Sequence, residues 1–373
     1  MGKEMSGNTA MNDWLKAFNL NRPLLIAGPC SAETEEQVLA TAKALQNTDT
    51  NVLRAGIWKP RTRPGNFEGV GALGLKWLLK AKRETGLLTT TEVANPIHVD
   101  LALKHEVDIL WIGARTSVSP FAVQEIAEAL KGTNKIVLVK NPINPDLSLW
   151  LGALERFYKT GIEQLGAIHR GFSSYKDSLY RNIPEWQIPI DLRQELPDIP
   201  LILDPSHIAG DRKLIFDLCQ TALDLNYNGL MIETHPNPDQ AWSDAKQQIT
   251  PETLADYTRK LKVRKKSSSN QDYEASLSRL RLQIDKLDEQ LIQILIDRMQ
   301  IADKIGAVKK NHNVAILQPE RWQAILQKMI NLGVDKGLAE EFVYRLFQAI
   351  HQESIAHQQK ILHANNSQQA NSH

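Results

Sequence analysis

NVLRAGIWKPRT (51–62) opens as an apolar run, Val52-Leu53, and closes as a cationic loop carrying Arg54, Lys59, Arg61 and the hydroxyl of Thr62. Three cations at the end of one short strand repel each other. They are kept together when an anion sits among them, because guanidinium forks match carboxylates and phosphates and an ammonium adds a point charge. The plain alternative is a solvated basic loop. Pro60 and Pro64 argue against it, since each fixes φ and stiffens the turn. A strand that delivers its chemistry at its C-terminal end is the unit from which the fold is read.

That unit recurs outward from residue 51. Strand-forming runs fall at LLIAGPC (24–30), NVLRAG (51–56), LLTTTEV (87–93), ILWIGA (109–114), IVLVKN (136–141), AIHRGF (167–172), LILDPS (201–206) and GLMIET (229–234). Helical patterns fill the gaps. One runs from Glu33 to Leu45 with Ser31 as its expected N-cap, and another from Pro120 to Lys131 with Phe121, Ile126 and Leu130 on a shared face. This alternation over roughly 250 residues predicts an α/β fold, a (β/α)8 TIM barrel. A doubly wound sheet is the runner-up, but it uses fewer strands. No G-x-G-x-x-G stands between a strand and a helix, so nothing marks a dinucleotide site.

In such a barrel the C-terminal strand ends converge on one mouth. Here they carry Cys30, Arg54 with Lys59, Glu92, Arg115, Lys140, Arg170, Asp204 with His207, and Glu233. Two chemical sets emerge. Arg54, Lys59, Arg61, Arg115, Lys140 and Arg170 exceed what one carboxylate needs and suit phosphorylated, carboxylated substrates. Cys30, His207, Glu233 and Asp244 mix thiolate, imidazole and carboxylate, which suits a divalent ion of the Mn, Fe, Co or Zn type better than Mg. The residues alone leave a second reading open: a buried thiol, a turn-forming Asp-Pro-Ser-His and two surface acids. Asp204 is either a ligand or a partner of one. Cys219, within IFDLCQTAL, reads as packing.

A chain of 373 residues suits two domains. A formal charge of +1 excludes an ordinary nucleic-acid binder. No apolar run is long enough to span a membrane, and the polar start MGKEMSGN has no secretory pattern. Gly2 and Ser6 match a myristoylation pattern only by chance. Two cysteines without a disulfide framework fit a reducing cytoplasm.

Past a basic, serine-rich linker at 263–272 the period changes. Leu277, Leu280, Ile284, Leu287, Leu291, Ile294, Arg298, Ile301, Ile305 and Val308 alternate steps of three and four, which predicts one long amphipathic helix in need of a partner, hence a dimer. Arg298 falls on the apolar seam. A guanidinium there either binds an anion inside a helical bundle or snorkels to water. Two helices follow, Glu320 to Leu332 and Leu338 to His363. On the last one Phe347, Ile350, Ser354 and Gln358 share a stripe. Residues 366–373 read as a disordered tail.

The first domain, residues 1–262, resembles over about residues 20–262 the 3-deoxy-D-arabino-heptulosonate 7-phosphate (DAHP) synthase family, its short type I beta branch. The resemblance rests on AGPCS (27–31), RAGIWKPRT (54–62), TEVANP (91–96), WIGAR (111–115), LVKNP (138–142), HRGF (169–172), DPSH (204–207), IETHPNP (232–238) and SDAKQ (243–247). It implies metal-dependent condensation of phosphoenolpyruvate with erythrose 4-phosphate. Cys30, His207, Glu233 and Asp244 would be the metal ligands. Arg54 and Lys59 would face the phosphoenolpyruvate carboxylate, and Arg115, Lys140 and Arg170 its phosphate. Arg61 and Thr62 would hold erythrose 4-phosphate, and Glu92 would assist proton handling. Lys59-Pro60-Arg61-Thr62 stands where the related octulosonate 8-phosphate synthases carry an Ala-Asn-Arg type of loop, which favours the four-carbon aldehyde.

Residues 273–365 resemble an AroQ-type chorismate mutase through LRLQIDKLDEQL (280–291), DRMQIADKIGAVK (297–309), QPER (318–321) and RLFQAIHQESIAHQQ (345–359). The resemblance implies an all-α, domain-swapped homodimer that rearranges chorismate without a cofactor. Arg281, Arg298, Lys309, Gln318, Arg321, Ser354 and Gln358 match its site, with Arg281 reaching into the partner's. Trp322 replaces the Glu usual after Arg321, and Gln318 can still reach the substrate hydroxyl. The fusion implies a bifunctional enzyme whose synthase is restrained by chorismate or prephenate. Its rival is a helical half that only senses ligand or dimerises.

Overall fold

The computed structural model describes residues 14–20, 22–60, 65, 67–175, 177–265 and 267–364. Arg61, Thr62, the Gly2–Ser6 pattern and the 366–373 tail lie outside them. The chain divides into two compact units, Met1–Lys266 and Ser267–His373.

In the first unit eight parallel strands close in sequence order: β1 (Leu24–Gly28), β2 (Val52–Arg54), β3 (Leu88–Val93), β4 (Ile109–Ile112), β5 (Ile136–Lys140), β6 (Leu165–His169), β7 (Leu201–Leu203) and β8 (Gly229–Glu233). Leu24 pairs with Gly229 and Gly28 with Glu233, so β8 returns to β1 in register. Strand side chains alternate between two cores, as the pleat requires. Leu24, Ile26, Val52, Trp111, Leu138, Ile168 and Met231 fill the barrel interior. Leu25, Ala27, Leu53, Leu110, Val137 and Leu203 pack outward against the helices. Trp14 closes the N-terminal end, its indole N–H donating to the Leu165 carbonyl at 2.9 Å.

The helices are α1 (Glu35–Gln46), α2 (Leu73–Thr85), α3 (Pro96–Lys104), α4 (Pro120–Leu130), α5 (Leu147–Lys159), α6 (Gln187–Glu195), α7 (Pro205–Ala209), α8 (Ile215–Asp224) and α9 (Pro251–Lys260). Two local expectations are corrected. The N-cap of α1 is Thr34, which accepts from Gln37 N at 3.1 Å, whereas Ser31 pairs with Ser243 at 2.6 Å inside the mouth. The buried face of α4 is Val123, Ile126, Ala127 and Leu130, and Phe121, two residues before Val123 and so about 200° round the helix from it, is 84% exposed. Cys219 is buried on α8 among apolar neighbours, as read.

One glycine sets the exit of β1. Gly28 has φ of +144°, and a Cβ there would stand 2.1 Å from the Arg54 carbonyl oxygen. Only glycine adopts this backbone while β2 passes so close.

The second unit is three helices: α10 (Gln271–Asn311), α11 (Pro319–Asp335) and α12 (Glu340–His363). α12 packs on both others. Met299, Ala302 and Gly306 of α10 are buried with Val343, Ser354 and Gln358 of α12. The N-terminal half of α10 has no such cover: Leu280, Ile284, Leu287, Leu291 and Ile294 are each about half exposed or more. Among the described residues no helix is long and apolar enough to cross a membrane.

Candidate active site

The C-terminal ends of the barrel strands build two chains of charge that meet at Glu233. In the first, Arg54 Nη2 donates to Glu233 Oε1 at 3.1 Å, with both side chains almost fully buried. His207 Nδ1 lies 3.8 Å from that same oxygen and 2.8 Å from Asp204 Oδ2, and Lys140 donates to Asp204 Oδ2 at 2.7 Å. The short α7 makes this possible: Asp204 is its N-cap, accepting from His207 N at 3.2 Å, and Pro205 opens it. Asp204 is thus the partner that orients His207, which leaves Nε2 as the ring atom available to a ligand.

In the second chain, Lys59 donates to the Cys30 carbonyl and to its Sγ, the latter at 3.2 Å. The Cys30 thiol donates to Asp244 Oδ2 at 3.3 Å. Arg181 donates to Asp244 Oδ1 at 2.8 Å and to Gln247 Oε1 at 2.7 Å, and Gln247 Nε2 reaches Glu233 Oε2 at 2.7 Å. Gln248 accepts from Cys30 N at 3.0 Å and Ser206 from Glu233 N at 3.0 Å, fixing both donors from behind.

Trp111 lies beneath the cations. Its ring centroid is 5.1 Å from the Arg54 guanidinium and 5.7 Å from Lys140 Nζ. Its Nε1 donates to Glu92 Oε2 at 3.1 Å. Gly113 leaves room for that carboxylate, since a Cβ would stand 2.0 Å from Glu92 Oε1. Glu92 therefore holds the aromatic floor. Arg170, buried after β6, donates to Asn182 Oδ1 at 2.7 Å, while Arg115, after β4, is exposed. Burial and the nearby Arg181 and Arg115 bring the Arg170 guanidinium down to about 10. Burial opposes charge on Asp204, yet the adjoining His207 and Lys140 hold its carboxyl well below the usual range.

The decisive atoms belong to Arg54. Its Nε and Nη1 are buried and make no hydrogen bond among the described residues. A guanidinium sealed in a barrel with donors unspent costs several kcal/mol unless an anion completes it (roughly 1–3 kcal/mol per unmet group).

The donor set Cys30, His207, Glu233 and Asp244 is linked through contacts of 3.3 Å and 3.8 Å. Among the described residues no three of His, Cys, Asp and Glu converge as a ready-made cage. Lys59, Arg54 and Arg181 stand against these donors instead. Burial and the Glu233 charge push the Cys30 thiol up to about 12, outweighing the neighbouring Lys59 and Arg54. The sulfur is therefore a thiol that a bound cation would have to deprotonate. By the chemistry of its members, a set of thiol, imidazole and two carboxylates fits a borderline-soft divalent ion.

Arg181, Asn182 and Gln247 were not picked out by sequence. They lie on the loops after β6 and β8, away from strand ends; Gln247 closes the SDAKQ stretch that supplied Asp244, while no motif marks Arg181 and Asn182. A larger cavity of about 660 Å³ sits at the opposite, N-terminal end of the barrel beside Trp14 and Lys135, remote from these cations.

The second unit holds a cavity of about 520 Å³, lined among others by Arg298, Lys309, Gln318, Arg321, Ser354 and Gln358. Arg298 does not snorkel: it donates to Ser354 Oγ, which donates on to the Ile350 carbonyl at 2.8 Å. Lys309 donates to the Ile316 carbonyl. Gln318 caps α11 by position but spends no side-chain bond there. Gln358 Nε2 donates to the Ser354 carbonyl at 3.2 Å, and its Oε1 is buried without a partner. Arg281 is absent from this lining and lies on the exposed half of α10.

Residues 17–269 match the family model described as DAHP synthetase I family. The chain belongs to the DAHP synthetase I family. Residues 280–359 match the model described as chorismate mutase type II, so this DAHP synthetase carries a mutase domain behind its barrel and is an enzyme of both classes. It is 31% identical over 238 residues to a phospho-2-dehydro-3-deoxyheptonate aldolase of Thermotoga maritima, covering 64% of this chain and 68% of that protein. A 2-dehydro-3-deoxyphosphooctonate aldolase of Acidithiobacillus ferrooxidans is 29% identical over 240 residues, covering 59% and 81%. The crystal structure of the Thermotoga maritima DAHP synthase superposes with a TM-score of 0.58 at 29% identity, over 64% of this chain and 67% of that one. A truncated form of the Thermotoga enzyme gives 0.56 at 27% identity, over 63% and 84%.

Proposed function

We propose that the barrel mouth condenses phosphoenolpyruvate with erythrose 4-phosphate and that the helical cavity rearranges chorismate to prephenate. The observation that carries the first half is the unspent, buried guanidinium edge of Arg54 above Trp111. Arg54 and Lys59 take the phosphoenolpyruvate carboxylate, and Lys140, Arg170 and Arg115 its phosphate. Arg61 and Thr62 of the adjoining loop take the aldehyde phosphate, and Lys59-Pro60-Arg61-Thr62 selects the four-carbon sugar over a five-carbon one.

Cys30, His207, Glu233 and Asp244 hold the divalent ion, which when bound polarises the aldehyde as a Lewis acid. The protein's own part is to position two phosphorylated molecules in one water-poor mouth. Carbon 3 of phosphoenolpyruvate attacks the aldehyde carbon, water adds at carbon 2, and phosphate departs with C–O cleavage. Lys140 and Arg170 hold the charge that gathers on the leaving phosphate.

In the helical unit Arg298 and Arg321 take the carboxylates of chorismate, and Lys309 and Gln358 face the ether oxygen where charge develops. A pericyclic step asks only for this pre-organisation. The exposed apolar row Leu280, Ile284, Leu287, Leu291 and Ile294 supports a homodimer through α10, in which Arg281 reaches the partner's cavity. Prephenate or chorismate held there restrains the barrel. The linker at 263–272 supports this by keeping each unit at high effective concentration around the other. Two unpaired cysteines support a reducing cytoplasm.

The test is one preparation of the intact chain assayed for both reactions, with prephenate titrated into the first. Both turnovers with inhibition bear the reading out. Inhibition without chorismate turnover makes the helical unit a sensor. Absence of DAHP formation at any divalent metal sinks the barrel assignment.

A further inference from the structure

Two rings in the helical cavity have no part in the anion-binding scheme. Trp322 of α11 and His351 of α12 stack face to face, with centroids 4.0 Å apart and planes 10° from parallel, and both line the cavity. Stacking occupies the ring faces and leaves the imidazole edge, which carries both nitrogens. No described residue hydrogen-bonds to either nitrogen of His351. Burial, with Arg298 and Lys309 nearby, favours the neutral ring. A neutral imidazole offers one N–H and one acceptor. The arginines and Lys309 around it only donate, so they address carboxylates well and cannot accept a proton from a hydroxyl.

We propose that His351, held in place by Trp322, is a further substrate-contacting residue of this cavity and hydrogen-bonds a hydroxyl of a ligand whose carboxylates the cations take. The juxtaposition explains why an aromatic ring is tolerated beside Arg321: Trp322 offers only an indole N–H donor and no acceptor, but it fixes the plane of the imidazole that has one. The inference rests on reading this cavity as the chorismate site.

The experiment uses the intact chain and chorismate, following turnover and equilibrium binding. His351→Phe keeps an aromatic face on Trp322 and removes the ring nitrogens. His351→Gln keeps a donor and an acceptor and gives up the stack. Lys309→Ala reports on the cavity itself. The expected result is about a tenfold loss of kcat/KM in His351→Phe, the size of one hydrogen bond, with most of it recovered in His351→Gln. Wild-type activity in His351→Phe beside a collapsed Lys309→Ala overturns the role of His351 and leaves the cavity assignment standing. Equal losses in both His351 variants, tracking a drop in helix melting temperature, make the residue structural and also overturn it. A parent chain that neither binds nor turns over chorismate fells the cavity reading and this inference with it.

Discussion

Arg54 and Glu233 meet at 3.1 Å at the C-terminal ends of β2 and β8, each almost sealed from solvent. Burial works against the Glu233 charge, and the nearby His207 and Arg54 outweigh it, so its carboxyl stays below the usual range. The pair is the joint between the cations proposed to clamp the substrate and the residues proposed to hold the metal. A change on either side is felt by both.

Arg54→Met removes the cation and leaves Glu233 charged in the barrel. The barrel is expected to lose about 3 kcal/mol of stability, at the lower end for a broken buried pair because Gln247 still donates to Glu233. DAHP formation should fall by about two orders of magnitude or more. Urea unfolding and steady-state kinetics on one preparation check both. A variant with unchanged synthase kinetics contradicts the clamp.

Chelation separates the two units. Stripping divalent ions is expected to abolish DAHP formation and to leave chorismate turnover untouched, with Mn, Co or Zn restoring the former. Cys30→Ala should lower bound metal measured by elemental analysis as well as activity. Full metal occupancy in that variant contradicts the thiol's place in the donor set.

His169 gives the barrel an acid-sensitive term. Its Nε2 donates to the Pro184 carbonyl at 2.6 Å and its Nδ1 accepts from Tyr227 Oη at 2.9 Å. Burial, with help from Arg170, lowers it from 6.5 to about 3. Between those values the unfolded chain binds a proton that the folded one refuses. Stability therefore rises with pH across this window and is lost on acidification, by at most ~1.4 kcal/mol per unit. Below about 3 the term saturates. His169→Gln should flatten the profile between pH 4.5 and 6.5 while costing stability at pH 7. Unfolding midpoints at three pH values suffice, and a slope unchanged by the substitution assigns the acid limb elsewhere.

Leu287 is 61% exposed on the bare half of α10. Leu287→Glu is expected to disrupt self-association through this helix, seen by light scattering, and to abolish chorismate turnover by withdrawing Arg281 from the neighbouring cavity. The barrel reaction should persist in the absence of inhibitor. Unaltered mass and mutase activity contradict the proposed interface.

Every barrel strand was legible because an all-parallel sheet is buried on both faces and writes itself as short apolar runs. Its ends were less so. Thr34 rather than Ser31 caps α1, since the chain runs on past Gly28 to deliver Cys30 and Ser31 to the mouth before it turns into a helix. The cations at strand ends were legible because the topology gathers those positions. Arg181 was not, because loop length hides where a side chain returns, and only the fold shows it against Asp244. The long helix α10 was read from its period, which also put Arg298 on the seam that lines the cavity. The pairing of Trp322 with His351 spans two helices and has no local signature at all.

Gly28 has a further consequence. With the Arg54 carbonyl lodged where a side chain would be, β1 and β2 approach at the mouth as closely as only glycine at 28 permits. Cys30 lies two residues beyond this point on one strand and Arg54 ends the other. The spacing of Cys30 from Arg54 thus depends on a backbone contact that any side chain at position 28 would lengthen.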